Sequence, residues 1–98
     1  MDEQPTKVIF RKETDGTITA VFPELPGTND PQTFTVYAHI GQHSSANYDW
    51  YRTTTAASLH ECESLFRELQ SIGYNLQVVK RFTARHSIER RKVLMEMS

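Results

Sequence analysis

"KVIFRKETDGTITAVFPELP" (residues 7–26) contains two β-prone runs on either side of Thr14-Asp15-Gly16-Thr17. An Asp-Gly pair is the strongest short-range hairpin signal, because a type I′ turn needs positive φ at both central residues. The stretch therefore predicts that the fold begins with an antiparallel β-hairpin. Pro23 and Pro26 are expected to end the second strand, since proline cannot donate a hydrogen bond to a strand ladder.

The predicted hairpin is apolar on both of its faces. With the Asp-Gly pair at the turn, Phe10 lies opposite Val21 on one face, and Ile9 lies opposite Phe22 on the other. We therefore predict that one face meets the core and that a further element covers the other.

Apolar and polar residues alternate from Thr33 to Ile40, as they do in a half-buried strand. Gly41 is expected to end this strand, and a polar loop is expected to follow through about Thr55. The pattern predicts a third strand with one polar face, formed by Thr33, Thr35, Tyr37 and His39.

A helix start signal lies at Ser58-Leu59-His60-Glu61, where serine and glutamate have the spacing of a capping box. Gly73 is expected to end the helix, because glycine readily adopts the left-handed conformation that follows many helices. Helical spacing is kept by the apolar residues Leu59, Cys62, Phe66, Leu69 and Ile72.

The last part of the chain predicts one more strand and one more helix. The segment from Tyr74 to Phe82 is rich in β-prone residues, and the chain is expected to be helical from Thr83 onward. The apolar pattern of this last helix is poor. It leaves open whether the helix docks loosely or becomes ordered only on a partner.

The predicted architecture is a single α+β domain, because 98 residues have room for one modest core. It has a four-stranded, mainly antiparallel sheet with one helix packed across a face, in the order β-β-β-α-β-α. We expect residues 1–6 to be a flexible N-terminus, residues 7–83 to form the core and residues 84–98 to form the C-terminal helix.

The composition is typical of a soluble protein, with 38% hydrophobic and 23% charged residues. Cys62 is the single cysteine, which excludes an internal disulfide. No apolar run approaches the roughly 20 residues that a membrane span needs, and the acidic N-terminus lacks the basic start of a signal peptide. We therefore predict a cytoplasmic protein that does not bind membranes.

Residues 39–52, HIGQHSSANYDWYR, combine two histidines with several aromatic residues. Tyr, Trp and Arg are the residue types enriched at protein contact surfaces. For Trp50 and Tyr51 a structural role is the alternative, as a lid over the open face of the sheet, because small domains seldom leave a tryptophan exposed. The segment predicts a partner-binding surface formed by His39, Gln42, His43, Tyr48, Trp50, Tyr51 and Arg52.

Metal binding and catalysis are the alternatives for the two histidines. His39 and His43 would need a third metal ligand, for which Asp49, His60 and Cys62 are the nearby candidates. A small hydrolase or nuclease would use one of the histidines as general base, with Asp49 orienting it. No nucleophile motif or glycine-rich phosphate loop accompanies them. The sequence therefore predicts no catalytic residue, no metal and no cofactor.

Positive charge is concentrated in the second half of the chain. Residues 50–98 contain eight Lys and Arg against five Asp and Glu, whereas residues 1–49 contain three against seven. Such a cluster either forms a solvated helix face or meets phosphates. A nucleic-acid-binding module, with aromatic rings stacked on bases, would use Lys80, Arg81, Arg85, Arg90, Arg91 and Lys92.

The segment from Asp15 to Gly27, DGTITAVFPELPG, resembles the N-terminal hairpin of HicB-type antitoxins. The resemblance implies the hairpin alone. Those proteins soon enter a helix, whereas this chain continues with another strand and the histidine-containing segment.

Residues 7–83 resemble small uncharacterised proteins that are encoded by bacteriophages and mobile elements of gut bacteria. The motifs that carry the resemblance are K-V-I-F-R-K, A-x-F-P, H-x-G-Q-H and S-I-G-Y, which lie here at 7–12, 20–23, 39–43 and 71–74. The resemblance implies a biological setting and no activity.

Together these observations predict a non-enzymatic accessory protein of a phage or mobile element. Its expected partner is a host protein or protein complex, and inhibition of a host defence system is the outcome that fits this setting. The nucleic-acid-binding module and the His-dependent enzyme remain the alternatives, and the sequence makes no prediction of the oligomeric state.

Overall fold

The N-terminal hairpin lies in the middle of a six-stranded sheet. The structure, a computed structural model, describes residues 4–38 and 42–97. The strands are β1 (Thr6–Lys12), β2 (Ile18–Pro26), β3 (Thr33–Ala38), β4 (Gln42–Asn47), β5 (Thr55–Ala56) and β6 (Leu76–Val78). The helices are α1 (Tyr48–Arg52), α2 (Leu59–Ser71) and α3 (Ala84–Met97).

The predicted α+β class and the mainly antiparallel sheet are confirmed. The predicted order and the count of four strands and two helices are wrong, because the chain forms six strands and three helices in the order β-β-β-β-α-β-α-β-α. The two additional strands and the additional helix all lie between Gln42 and Ala56. This is the region for which the sequence predicts a polar loop.

The hairpin is present, but its register differs from the prediction by one residue. Ile9 lies opposite Val21, so the predicted pairing of Phe10 with Val21 is wrong. The loop has three residues instead of two. Within it the Gly16 N–H donates to the Glu13 carbonyl at 2.9 Å, and Gly16 adopts a φ of 91°. A glycine in this left-handed conformation is typical of three-residue hairpin loops.

β2 continues past Pro23 and ends at Pro26, so the expected end is confirmed at Pro26 and is wrong at Pro23. The ladder between β1 and β2 extends no further than the pair Ile9 and Val21. The pairing with β3 shifts its register between Phe22 and Pro26. Pro23 therefore occupies an irregular part of the ladder, where its missing N–H is tolerated.

The strand order is β4-β3-β2-β1-β5, and β6 also pairs with β1. The outer edge of β1 is divided between two partners. Arg11 and Lys12 pair with the antiparallel β5, whereas the first part of β1, from Thr6 to Val8, pairs with the parallel β6. The pairing of β1 with β6 brings together two segments that are distant in the sequence.

The third strand has no continuous polar face. Tyr37, which the alternation assigns to that face, is 2% exposed and packs in the core, and its hydroxyl donates to the carboxylate of Glu68. His39, the next residue on the same side, lies outside the described residues. The prediction fails at Tyr37 because tyrosine buries an apolar ring as readily as it offers a polar hydroxyl.

Both faces of the sheet are covered, as the two apolar faces of the hairpin predict. On one face Val8, Phe10 and Phe22 pack under α2, whose buried side chains are Cys62, Leu65 and Leu69. On the other face Ile9, Val21, Phe34 and Val36 pack with Tyr51 of α1 and with Val79 and Phe82, which precede α3.

The predicted capping box of α2 is confirmed. The Glu61 N–H donates to the Ser58 hydroxyl at 3.1 Å, and the Ser58 N–H donates to the Glu61 carboxylate at 2.9 Å. The ammonium group of Lys12 and the Ser58 N–H lower the pKa of Glu61 to about 2. Gly73, with a φ of 111°, ends the helix as predicted.

α3 packs against β2 through two buried polar side chains, His86 and Arg90. The Arg90 guanidinium donates to the carbonyl of Pro23 at 2.8 Å and to the carbonyl of Pro31 at 3.2 Å. It also lies over the rings of Phe34 and Phe82. The helix is therefore attached to the sheet mainly through a buried cation and not through an apolar stripe.

His86 makes the attachment of α3 sensitive to pH. The Thr83 N–H donates to Nδ1 of His86 at 3.1 Å, so this nitrogen acts as an acceptor in the folded chain. Burial lowers the pKa of His86, the Glu24 carboxylate opposes this effect, and the cations of Lys7 and Arg90 add to it. The folded chain therefore favours the neutral imidazole.

We expect the free energy of unfolding to fall as the pH decreases below about 6.5, the ordinary pKa of histidine, because the unfolded chain then binds a proton that the folded chain resists. Urea titrations across this pH range measure the effect. In His86→Gln the side-chain amide oxygen can still accept the Thr83 N–H, and the pH dependence should become flatter. If the free energy of unfolding changed equally with pH in wild type and in His86→Gln, the assignment of this effect to His86 would be contradicted.

Within residues 4–38 and 42–97, no helix is long and apolar enough to cross a membrane.

Candidate protein-contact surfaces

The aromatic residues that the sequence assigns to the partner-binding surface differ widely in exposure. Tyr51 is only 7% exposed, with the Arg11 guanidinium 4.3 Å from its ring centroid. Trp50 is partly buried against the same side of the core, as the alternative of a lid predicts. Tyr48 is 48% exposed and stacks on Tyr51 at 5.4 Å. We therefore exclude Tyr51 from the candidate contact residues and retain Tyr48.

His43 is exposed, but its ring already has partners within the chain. Its Nε2 lies 2.9 Å from the hydroxyl of Tyr74, and its ring meets that of Tyr37 edge-on at 4.7 Å. Burial raises the pKa of the Tyr74 hydroxyl. His39 lies outside the described residues, and only the backbone of Gln42 is described.

α1 is fixed at both ends by its own side chains. The Asn47 side chain accepts the Trp50 N–H at 3.0 Å, which caps the first turn. At the other end Arg52 is exposed and pairs with Asp49 at 3.3 Å. Asp49, the residue that a catalytic mechanism would place beside histidine, thus has Arg52 as its described partner.

A cleft of about 390 Å³ lies between α1 and the open part of the sheet. Trp50 lines one side of it, and Ser44 and Ala46 of β4 line another. The charged group at this cleft is Glu13, whose carboxylate accepts the Thr19 hydroxyl at 2.6 Å. A single paired carboxylate without a described base or nucleophile beside it does not indicate a catalytic mechanism.

The basic residues of the C-terminal part do not all reach the surface. Arg90 is buried in the attachment of α3 and is excluded from a nucleic-acid surface. Glu89 lies 3.4 Å from Lys92 and 4.0 Å from Arg85, which reduces the local positive charge. The remaining basic residues, Lys80, Arg81 and Arg91, are exposed.

β4 is an edge strand. It pairs with β3 from Gln42 to Asn47, and no described strand pairs with its other side. The part of the chain that the sequence assigns to a contact surface thus presents main-chain groups as well as side chains.

A second surface was not predicted from the sequence. An apolar groove of about 430 Å³ lies beside α2 and is formed by Leu59, Cys62, Phe66 and Val78. Leu59 is 84% exposed and Val78 is 45% exposed. A further cavity of about 270 Å³, which reaches Ala57 and Val79, shares Leu59, Cys62 and Val78 with it. The two cavities are therefore neighbours.

The groove lies where the first turn of α2 comes next to β6. Cys62, Leu65 and Leu69 of the helix are buried on the sheet, whereas Leu59 in the first turn extends beyond it. β6 has only three residues and leaves Val78 at the margin.

The rim of the groove carries one charge of each sign. Arg67 lies 3.6 Å from Glu63, and the two residues stand one helical turn apart. The Cys62 thiol lies on the floor, where burial raises its pKa, so the unreactive thiol form is favoured. The groove therefore offers apolar contact and no reactive group.

Within the described residues, no three His, Cys, Asp or Glu side chains come together to hold a metal ion. His60 and Cys62, which the sequence suggested as third ligands, lie on α2, and Cys62 faces the core. Comparison of the chain with known protein families, curated proteins and solved structures gave no match.

Proposed function

We propose that this protein is a non-enzymatic protein-binding module that contacts its partner through the apolar groove beside α2. The observation that carries the proposal is Leu59, an almost fully exposed leucine at the edge of a concave apolar surface. Covering one exposed leucine side chain contributes about 1.5–3 kcal/mol. A partner that also covers Val78 and Phe66 would gain more.

The shape of the surface favours a protein partner over a small polar ligand. Contiguous exposed apolar surface with a polar rim is typical of protein interaction sites. Glu63 and Arg67 supply such a rim, and Leu59, Phe66 and Val78 supply the apolar centre. Tyr48 extends the contact surface only if the partner also reaches the opposite side of the sheet.

The setting of the proposal comes from the resemblance to proteins of bacteriophages and mobile elements of gut bacteria. A small accessory protein of this kind would act on a host protein or protein complex. Inhibition of a host defence system is the form of action we propose for it. The proposal assigns no catalytic residue, metal or cofactor.

Leu59→Glu is expected to reduce recovery of the bound host protein by at least about 10-fold in a pull-down from a lysate of a gut bacterium, since a charge in the groove opposes apolar burial. The substitution should leave the fold intact. Leu59 is exposed, and an acidic residue is favourable in the first turn of a helix. Quantitative mass spectrometry of the bound fraction measures the recovery.

His60→Glu is the matched control, because it adds the same charge in the same turn at an exposed residue that does not line the groove. A His43→Ala, Tyr48→Ala double variant tests the surface around β4 and α1. Equal recovery of the host protein with wild type and with Leu59→Glu would exclude the groove as the binding site. Recovery of nucleic acid in place of protein, with binding that weakens steeply as salt rises, would support the alternative module.

A further inference from the structure

The outer edge of β4 presents unpaired main-chain groups to solvent. The Glu13 N–H donates to the Thr17 carbonyl at 2.8 Å, which makes this a hydrogen-bonded pair of the hairpin. Such pairs alternate with non-bonded pairs along an antiparallel ladder. The observed strand registers carry this alternation across the sheet to β4. There the even-numbered residues direct their backbone N–H and C=O groups toward β3. His43, Ser45 and Asn47 therefore direct their N–H groups outward.

The same alternation is confirmed at the other side of the sheet. There the carbonyls of Val8 and Phe10 face away from β2, and they accept the N–H groups of Val79 (2.9 Å) and Ala57 (3.2 Å). The outer edge of β1 is thus paired, whereas no described strand pairs with the outer edge of β4.

β4 carries none of the features by which proteins usually protect an edge strand. Edges are commonly protected by charged residues, proline or a bulge. The sequence of β4, Q-H-S-S-A-N, contains no Lys, Arg, Asp, Glu or Pro. Its ladder with β3 is continuous from Ala38 and Gln42 to Thr33 and Asn47. The edge is therefore regular enough to accept another strand.

We propose that β4 pairs antiparallel with β4 of a second copy of this chain, across a two-fold axis. In a two-fold pairing the residue on the axis meets its own equivalent, and the two strands carry the same net charge, so a charged strand would be repelled by its own copy. All six residues of β4 are uncharged, so no such repulsion opposes self-pairing.

The backbone geometry selects one register that uses the outward-facing residues fully. Residues that direct their N–H groups outward must lie opposite each other, and Ser45 is the middle one of the three. With the axis at Ser45, the two Ser45 hydroxyls can hydrogen-bond to each other, and His43 lies opposite Asn47 of the second copy. The pairing joins the two sheets into one continuous sheet.

Ser45→Lys is expected to raise the dissociation constant of the dimer by at least about 10-fold, because two ammonium groups would meet at the axis. Ser45→Glu should do the same. An equimolar mixture of the two variants should restore a dimer, in which Lys and Glu face each other. Sedimentation equilibrium of the purified chain over a range of concentrations measures all three.

Asn75→Lys is the matched control, because it adds one exposed charge beside β6, on the side of the sheet away from β4. It should leave the dimer unchanged. A wild-type chain that remains monomeric at its highest soluble concentration would overturn the proposal, and so would a Lys and Glu mixture that stays monomeric. The measurement contains no host protein, so its outcome is independent of the function proposed for the groove.

Discussion

Arg90→Ala is expected to lower the free energy of unfolding by about 3 kcal/mol, the largest loss we predict for a single substitution outside the apolar core. The guanidinium donates to the carbonyls of Pro23 and Pro31, at distances of 2.8 to 3.4 Å. Alanine removes all of these donors and leaves the carbonyl oxygens without them. For a domain of this size, the melting temperature should fall by about 15 °C.

Arg91→Ala is the control, because Arg91 is the adjacent residue of α3 and is exposed. Its effect should remain within about 0.5 kcal/mol. Arg90→Lys should give an intermediate loss, since the compact ammonium group cannot reproduce the planar, forked donor geometry of the guanidinium. Equal stability of Arg90→Ala and Arg91→Ala would show that α3 is attached by other contacts.

Gly27→Ala is expected to cost about 2–3 kcal/mol through overpacking. A Cβ atom at this position would lie 2.5 Å from Cβ of Ser45 and 2.6 Å from the carbonyl oxygen of Phe34. The carbonyl belongs to the backbone of β3 and cannot move without disturbing its ladder. Chemical denaturation of the variant measures the loss.

The double variant Gly27→Ala, Ser45→Gly should recover part of this cost, because the second substitution removes the Cβ atom of Ser45 from the collision. A double-mutant cycle gives the coupling between the two sites, which should be favourable. Gly16→Ala is a useful comparison, because Gly16 has open space around it and its cost comes only from the positive φ. A Gly27→Ala variant as stable as wild type would refute the close packing of the β2–β3 connection on β4.

The parts of the fold that could be predicted from the sequence are those with a local signal. The Asp-Gly hairpin and the Ser58–Glu61 capping box each depend on a few neighbouring residues, and both are present. The register of the hairpin was missed because Asp-Gly also fits a three-residue loop, and only the completed pairing decides between the two.

β4 was not predicted because an edge strand has no need of an apolar face. Its side chains are polar or small, and the sequence offers only the composition of a loop. α3 is a similar case, since its buried residues are His86 and Arg90. A search for apolar periodicity cannot find a helix that is attached by a guanidinium, because the partners are backbone carbonyls of distant residues.

For the predicted contact segment, the sequence could not separate the exposed aromatic side chains from the buried ones. Residues 43–52 form an edge strand and a short helix, but Tyr51 turns inward and Trp50 does so in part. The apolar groove was missed because Leu59 and Val78 both fit a buried pattern. Their exposure depends on how α2 and β6 are placed on the sheet, which only the assembled fold reveals.

The parallel pairing of β1 with β6 constrains how the nascent chain can fold. Thr6 pairs with Leu76, so β1 is synthesised well before the strand that completes its edge. Contacts between such distant residues form slowly, because a long loop must close before they are made. Until then the edge of β1 beside Val8 is open to chaperones or to other nascent chains. A ribosome-bound chain truncated before residue 76 should therefore remain sensitive to protease, while the complete chain is resistant.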